Sequence, residues 1–203
     1  MVKENSGKIY FMPLAFDLGF ALCKLFDYTD TAPFDGALVS VLQRQFNSAE
    51  EIPSIDEIDK LEILFGLLPL NKYPNIKGKG AWKYIGQTMH LTKEKPVFKG
   101  TVERVALHRA IDWATVNEWY KIDINGKQKF SDYESVRRFE TRVLYDMNSI
   151  EMRATMHFLL LNGKKVENYY DLTIEQNRNL YLQMINTSFD KKSFYKYSKV
   201  INL

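Results

Sequence analysis

The sequence predicts an α+β protein. Its first half should be predominantly antiparallel, twisted or barrel-like β-sheet, and its second half helices plus one hairpin. Three observations carry this expectation. Short apolar and aromatic runs punctuated by Gly, Pro and Asp crowd the first hundred residues, which suits strands. Asn125-Gly126 sits between two strand-like runs and is the strongest short hairpin signal in the chain. Beyond Ser131 the apolar residues recur at helical spacing, without the strand–helix–strand alternation that a parallel sheet needs.

Taken in order, Ile9 to Leu14 reads as a strand, with Pro13 placing its end at a sheet edge or bend. A short loop holding Asp17 and Gly19 leads into a second strand, Gly19 to Phe26. Tyr28 to Gly36 is a turn-rich link. Ala37 to Phe46 alternates well enough for a third strand, although Leu38, Val41, Leu42 and Gln45 also fit a helical stripe. In the acidic stretch Asn47 to Lys60, Ser54 and Glu57 have capping-box spacing, so one helical turn is expected. Leu61 to Leu68 is the next buried strand, ended by Pro69. Asn71 to Gly80 is loop, Ala81 to Gly86 a short aromatic strand, and a lysine-rich segment leads to Pro96-Val97-Phe98.

Composition shifts near Gly100, dividing residues 1–100 from residues 101–203, which form either a separate lobe or one domain with the first. Thr101 to Ile111 fits a short helix slightly better than a strand. Thr115 to Ile124 and Lys127 to Phe130 flank the Asn-Gly turn. Ser131 with Glu134 makes another capping box, starting a helix with Val136, Phe139, Val143 and Leu144 as its apolar stripe. Ile150 to Leu161 is a second helix, stopped by Asn162-Gly163. Val166 to Leu172 reads as extended, Thr173 with Gln176 caps a last helix, and the basic, aromatic tail adds a final strand.

The bulk numbers exclude little beyond disorder. Of 203 residues 45% are apolar, 26% charged and 14% aromatic, all ordinary globular values. A single cysteine, Cys23, cannot make an internal disulfide, and its apolar surroundings favour a small buried hydrophobe over a reactive thiol. The reducing pattern, the N-terminus MVKENSGK and the lack of any long apolar run predict a cytoplasmic protein without a membrane span.

Net charge is only +3, but it is unevenly spread. Between Asp17 and Glu62 ten acids face three bases, Lys24, Arg44 and Lys60; between Ile63 and Lys99 seven lysines face one acid, Glu94. Such a swing either sets an acidic face beside a basic one or is scattered over solvated loops.

Catalytic motifs are missing. His90, His108 and His157 lie far apart with no second ligand at metal spacing, and neither HExxH, CxxC nor GxSxG occurs. His157, among Met156, Phe158 and Leu159, suits a core position on a helix. Asn75 to Gly80 lacks the Walker spacing, so a flexible basic loop explains its glycines better than phosphate binding. Glu140, Arg142, Glu151 and Arg153 lie along expected helices, where such charges usually lace an exposed face. No cofactor is called for by any motif. Trp82-Lys83-Tyr84 and Phe194 to Lys199 interleave aromatic and basic residues as a nucleic-acid platform would, against a nearly neutral chain whose early strands are flanked by acids. That module, or a small-molecule enzyme without a readable motif, stands as the alternative.

KIYFMPLAFDLGFALCKLFDYTD, SIDEIDKLEILFG, AWKYIGQ and KPVFKG occur in the order that resembles immunity-protein family 26 of bacterial polymorphic-toxin systems. The matching positions are Ile9, Pro13, Leu14, Gly19, Phe20, Ile58, Phe65, Trp82, Ile85, Gly86, Pro96 and Phe98, so the likeness covers the first half of the chain only. It implies a non-enzymatic protein that binds and neutralises a cognate toxin. The family's motif positions look structural and identify no toxin-binding residue. The charge swing suggests Asp27, Asp30, Asp35, Glu50, Glu51, Asp56, Glu57 and Asp59 as partner-binding residues, a field suited to a toxin with a basic cleft such as a nuclease.

Overall fold

A computed structural model describes residues 6–29, 36–78, 81–88, 96–103 and 110–201 of the chain. They form an α+β structure with two antiparallel sheets. The chain divides into two compact units, one of residues 1–95 and 143–158 and the other of residues 96–142 and 159–203.

The first unit is built on five strands: β1 (Lys8–Pro13), β2 (Phe20–Tyr28), β3 (Gly36–Phe46), β4 (Ile63–Leu70) and β5 (Lys83–Gln87). Their order is β4-β3-β2-β1-β5, and every neighbouring pair is antiparallel. The helix-or-strand ambiguity of β3 resolves as strand because both of its faces are covered: Leu38, Val39, Ser40, Val41 and Leu42 are all buried. A strand enclosed on both sides needs no clean polar alternation. Register shifts interrupt the β1–β5, β2–β3 and β3–β4 ladders, and bulges of this kind bend strands and increase twist.

The β1–β2 turn depends on Gly19. Leu14 N donates to Gly19 O at 2.8 Å, and Gly19 has φ +76°, where a side chain is strained. A Cβ there would also lie 2.1 Å from Phe46 O. Across the sheet Phe11 stacks on Phe20 with centroids 4.2 Å apart, and Ile9, Phe11, Leu22, Leu42, Phe46 and Ile58 make a buried cluster.

Pro69 does not end its strand, contrary to the sequence expectation. It lies inside β4, the last strand on its side of the sheet, opposite Leu38. Proline is tolerated on such a strand because it removes only a donor. Its carbonyl accepts from Tyr145 N at 2.8 Å, and Tyr145 O accepts from Asn71 N, so residue 145 continues the ladder beyond β4.

The expected single turn of helix is present as α1 (Ile55–Ile58). The second unit holds β6 (Val97–Thr101), β7 (Trp119–Asp123) and β8 (Gln128–Ser131), in that order. β7 and β8 are joined by the Asn125-Gly126 turn as expected, with Gly126 at φ +82° and its N–H on Asp123 O. Residues 104–109, most of the Thr101 to Ile111 segment, lie outside the described residues. So do Asp30, Asp35, His90 and His108.

Several expectations for the second half are corrected. The helix expected from Ser131 is only α2 (Tyr133–Val136), started by Asp132, whose carboxylate accepts from Ser135 N; Val143 and Leu144 are exposed. α3 (Met147–Leu161) begins at Asp146, which accepts from Ser149 N, and stops at Gly163 with φ +69°. Its last three residues, Leu159 to Leu161, fall in the second unit. Val166 to Leu172 is not extended, because Tyr169 N and Tyr170 N both turn back to Val166 O. Thr173 caps nothing: its N–H and O–H are both held by Asp171 Oδ1, and α4 runs from Glu175 to Ser188. The tail is a helix rather than a strand, α5 (Lys191–Ser198), capped by Asp190 on Ser193 N and anchored by buried Phe194.

Trp113, Val116, Trp119, Tyr133 and Val136 form the core of the second unit. Fully buried Asn186 of α4 ties it to the preceding loop. Asn186 Oδ1 accepts from Trp113 N at 3.0 Å, and its Nδ2 donates to Ile111 O and Leu182 O. Every polar atom of that amide group thus has a use, as burial requires.

Candidate functional site

The β3–β4 connection gathers a group of exposed acids among the described residues. Glu50 and Glu51 lie in a 3-10 turn, Ala49–Glu51, and Asp56 and Glu57 in α1; all four are exposed. Local chemistry fixes their backbone. Glu51 Oε2 accepts from Asn47 N at 3.0 Å. Ser54 and Glu57 form the expected capping box, Glu57 Oε2 accepting from Ser54 N at 2.9 Å and from Ser54 Oγ at 2.7 Å. Those two bonds, with smaller help from Lys60 and Arg44, hold the Glu57 carboxyl below its usual value, so it carries its charge at neutral pH.

Two side chains pin α1 to the sheet. Ile58 enters the buried cluster with Phe11, Leu22 and Phe46. Ile55 rests on Gly86 of β5, where a Cβ would come within 2.6 Å of Ile55 Cδ1. Directly after the helix, Asp59 turns inward. Its Oδ1 accepts from Lys24 Nζ at 3.0 Å, and its Oδ2 accepts from Thr88 Oγ1. With both side chains largely shielded, that ion pair docks the segment rather than offering charge to a partner.

The eight sequence-suggested residues therefore separate. Glu50, Glu51, Asp56 and Glu57 are brought onto one exposed connection. Asp59 is spent inside. Asp27 is 7% exposed, and its Oδ1 accepts from both Thr29 N and Thr29 Oγ1. Asp30 and Asp35 lie outside the described residues. A mean charge count along the sequence could not separate Asp27 and Asp59 from the others, because it is blind to burial.

Several other chemistry-bearing side chains among the described residues are buried. Trp82 is fully buried and its Nε1 donates to Glu151 Oε1 at 2.6 Å, so it presents no stacking face to a base. Burial raises the Glu151 carboxyl despite that bond. Cys23 is buried, and burial first, then the Glu151 charge, raises its thiol well above the ordinary value, the opposite of what a nucleophile needs. His157 is buried face to face with Phe65, centroids 5.9 Å apart and planes 9° apart. Arg153, which the sequence suggested for an exposed face, is fully buried, with Cζ 4.6 Å from the Phe65 ring. The signal missed there was the apolar run on both sides of it, Ile150 to Leu161.

In the second unit Lys99 has 1% exposure inside an aromatic box. Its Nζ stands 5.0 Å from the Trp113 ring, 5.9 Å from Trp119 and 5.7 Å from Tyr133, and donates to Arg137 O and Thr187 Oγ1. Nothing in a lysine-rich sequence segment marks this one as buried.

No group of three or more potential metal ligands occurs among the described residues, and none of their helices is long and apolar enough to cross a membrane. No family model, curated protein or solved structure matches the chain.

Proposed function

We propose that this chain is an immunity-type binding protein: it neutralises a cognate bacterial toxin by occluding it, without catalysis, and docks through the β3–β4 connection. The observation that carries the reading is the placement of Glu50, Glu51, Asp56 and Glu57 on one exposed segment whose backbone is fixed by two local caps and by Ile55, Ile58 and Asp59. A charged loop already held in its bound shape loses little conformational freedom on docking, which favours affinity. Its negative field would speed encounter with a basic cleft, such as the phosphate-binding groove of a nuclease toxin. The likeness of the first-half motifs to immunity-protein family 26 supports the partner class, and a cytoplasmic site of action accords with a single buried free thiol.

The binding probe is the product of the adjacent gene, which the immunity reading expects to carry a toxin domain. A double variant, Glu50→Lys and Asp56→Lys, should slow association at least about threefold at low salt, with the gap narrowing as salt screens the field. Glu51 and Glu57 are left in place because their carboxylates hold Asn47 N and Ser54 N. Unchanged association kinetics in a variant with native circular dichroism would remove the acidic connection from the interface. Failure of the neighbouring domain to bind the wild-type chain at all would remove the immunity reading.

A further inference from the structure

The sheet of the second unit is engaged along one edge and open along the other. On the β6 side Lys99 N donates to Glu140 O at 2.8 Å, and residue 99 bridges residue 141. β8 is the last strand on the opposite side, and its Gln128, Lys129 and Phe130 are exposed. Asp123 N donates to Lys127 O at 3.0 Å, which sets the phase of the β7–β8 ladder. Hydrogen-bonded pairs alternate in an antiparallel ladder, so Lys129 and Ser131 exchange bonds with Lys121 and Trp119. The N–H and C=O of Gln128 and Phe130 then point away from β7. Among the described residues those outward groups meet no further strand.

The register also fixes which side chains line that edge. Lys99, Lys121 and Lys129 stand side by side across one face. Lys99 is buried with its own acceptors, and Lys121 Nζ lies 5.7 Å from the Phe139 ring. Lys129, at the outer end, is exposed and forms no ion pair among the described residues. Like charges directly opposite destabilise a strand pair, so an acid placed beyond Lys129 would relieve the row. On the other face Gly100, Tyr120 and Phe130 form the neighbouring row. Phe130 ends it: its ring meets Tyr120 edge to face, centroids 5.9 Å apart, and 68% of the residue stays exposed.

We propose that the open edge of β8 receives an extended acidic segment of another protein, which adds as a fourth, antiparallel strand with an acid against Lys129 and an apolar residue against Phe130. Backbone bonds to Gln128 and Phe130 supply affinity, and the two rows of side chains supply choice. Lys129 falls at a non-hydrogen-bonded pair of the new ladder, where facing side chains approach most closely. A second copy of this chain suits the edge poorly. Antiparallel pairing of β8 with itself, outward groups matched, sets Lys129 opposite Lys129 or Lys127, or diagonal to its own equivalent. Edge lysines commonly block such self-pairing, and the same charge favours an acidic guest. β8 and the acidic β3–β4 connection belong to different units, so either assignment can fail alone.

The probe is a short, end-blocked peptide alternating glutamate and valine, titrated into the full-length, isotope-labelled protein and followed by NMR. Saturable binding with Kd between about 0.1 and 1 mM is expected, with shifts centred on β8 and slower exchange of the Gln128 and Phe130 amides. The same peptide with lysine for glutamate should bind at least about threefold more weakly, and Lys129→Glu, at an exposed position, should remove that preference. Methylating the valine amides, which face the β8 backbone, should abolish binding, whereas methylating the glutamate amides, which face away, should leave it within about threefold. No binding to the wild-type chain, equal binding of the two peptides, or equal loss from either methylation would overturn the proposal. So would β8 shifts that depend on protein concentration without peptide, which would assign the edge to a second copy.

Discussion

Acidification between pH 6.5 and 5 should cost this protein stability through one side chain, His157. The imidazole is buried against Phe65, and the Arg153 guanidinium also lies over that ring, 4.6 Å from its centre. Burial first, and then the positive charge of Arg153, push its pKa down from 6.5 to about 3. In the unfolded chain the same group titrates near its ordinary value. The folded pKa is the depressed one, so the stability it carries is complete above pH 6.5 and is lost as pH falls toward 3. Within that window the unfolded state binds one more proton, which sets a slope of about 1.4 kcal/mol per pH unit. From pH 6.5 to 5 the loss from this group is therefore about 2 kcal/mol. Urea unfolding followed by circular dichroism at pH 7, 6 and 5 reads it directly. His157→Phe keeps the ring against Phe65 and removes the proton, so the variant should be nearly flat over the same range. A wild-type slope that persists in His157→Phe, or an NMR titration of His157 with a midpoint near 6.5, would refute the reasoning.

Two further perturbations test the fold at points that hold it together. Gly19→Ala should destabilise by about 2–4 kcal/mol, combining left-handed backbone strain with the clash against Phe46 O, whereas Gly78→Ala, also at positive φ but with open space around it, should cost only about 1 kcal/mol. Equal costs in urea unfolding would show that the close approach to Phe46 contributes nothing. Lys99→Met keeps the apolar stem and removes two hydrogen bonds and three ring contacts, and should cost about 2–4 kcal/mol. The fluorescence of Trp113 and Trp119 reports it, and a loss below about 1 kcal/mol would mean that the aromatic box tolerates a neutral occupant.

Local chemistry was legible wherever a motif and its partner lie within a few residues. The Ser54–Glu57 box, the Asn125-Gly126 hairpin and the Gly163 stop of α3 are of this kind, each closed by atoms no more than five residues apart. The failures in the second half have the same root. Thr173 and Ser131 offered good capping spacings, but the Thr173 N–H and O–H are themselves held by Asp171, and Asp132 caps one residue after Ser131, through Ser135 N. The tail carried its own cap, Asp190 with Ser193, which an aromatic, β-rich composition concealed.

For the candidate site, the sequence by itself determined that acids cluster between Asp17 and Glu62 and that a capped turn lies within the cluster. Only the tertiary structure decided which acids remain available. Asp59 and Glu57 are two residues apart on the same turn, yet one meets Lys24 and Thr88 inside while the other faces solvent. The difference lies in partners 35 and 29 residues away along the chain. The same holds for Lys99 and Arg153, whose surroundings are assembled from distant segments. Charge and propensity are properties of a residue and its near neighbours, so a sequence displays them. Burial and pairing depend on which distant segments fold together, and only the folded chain brings those together.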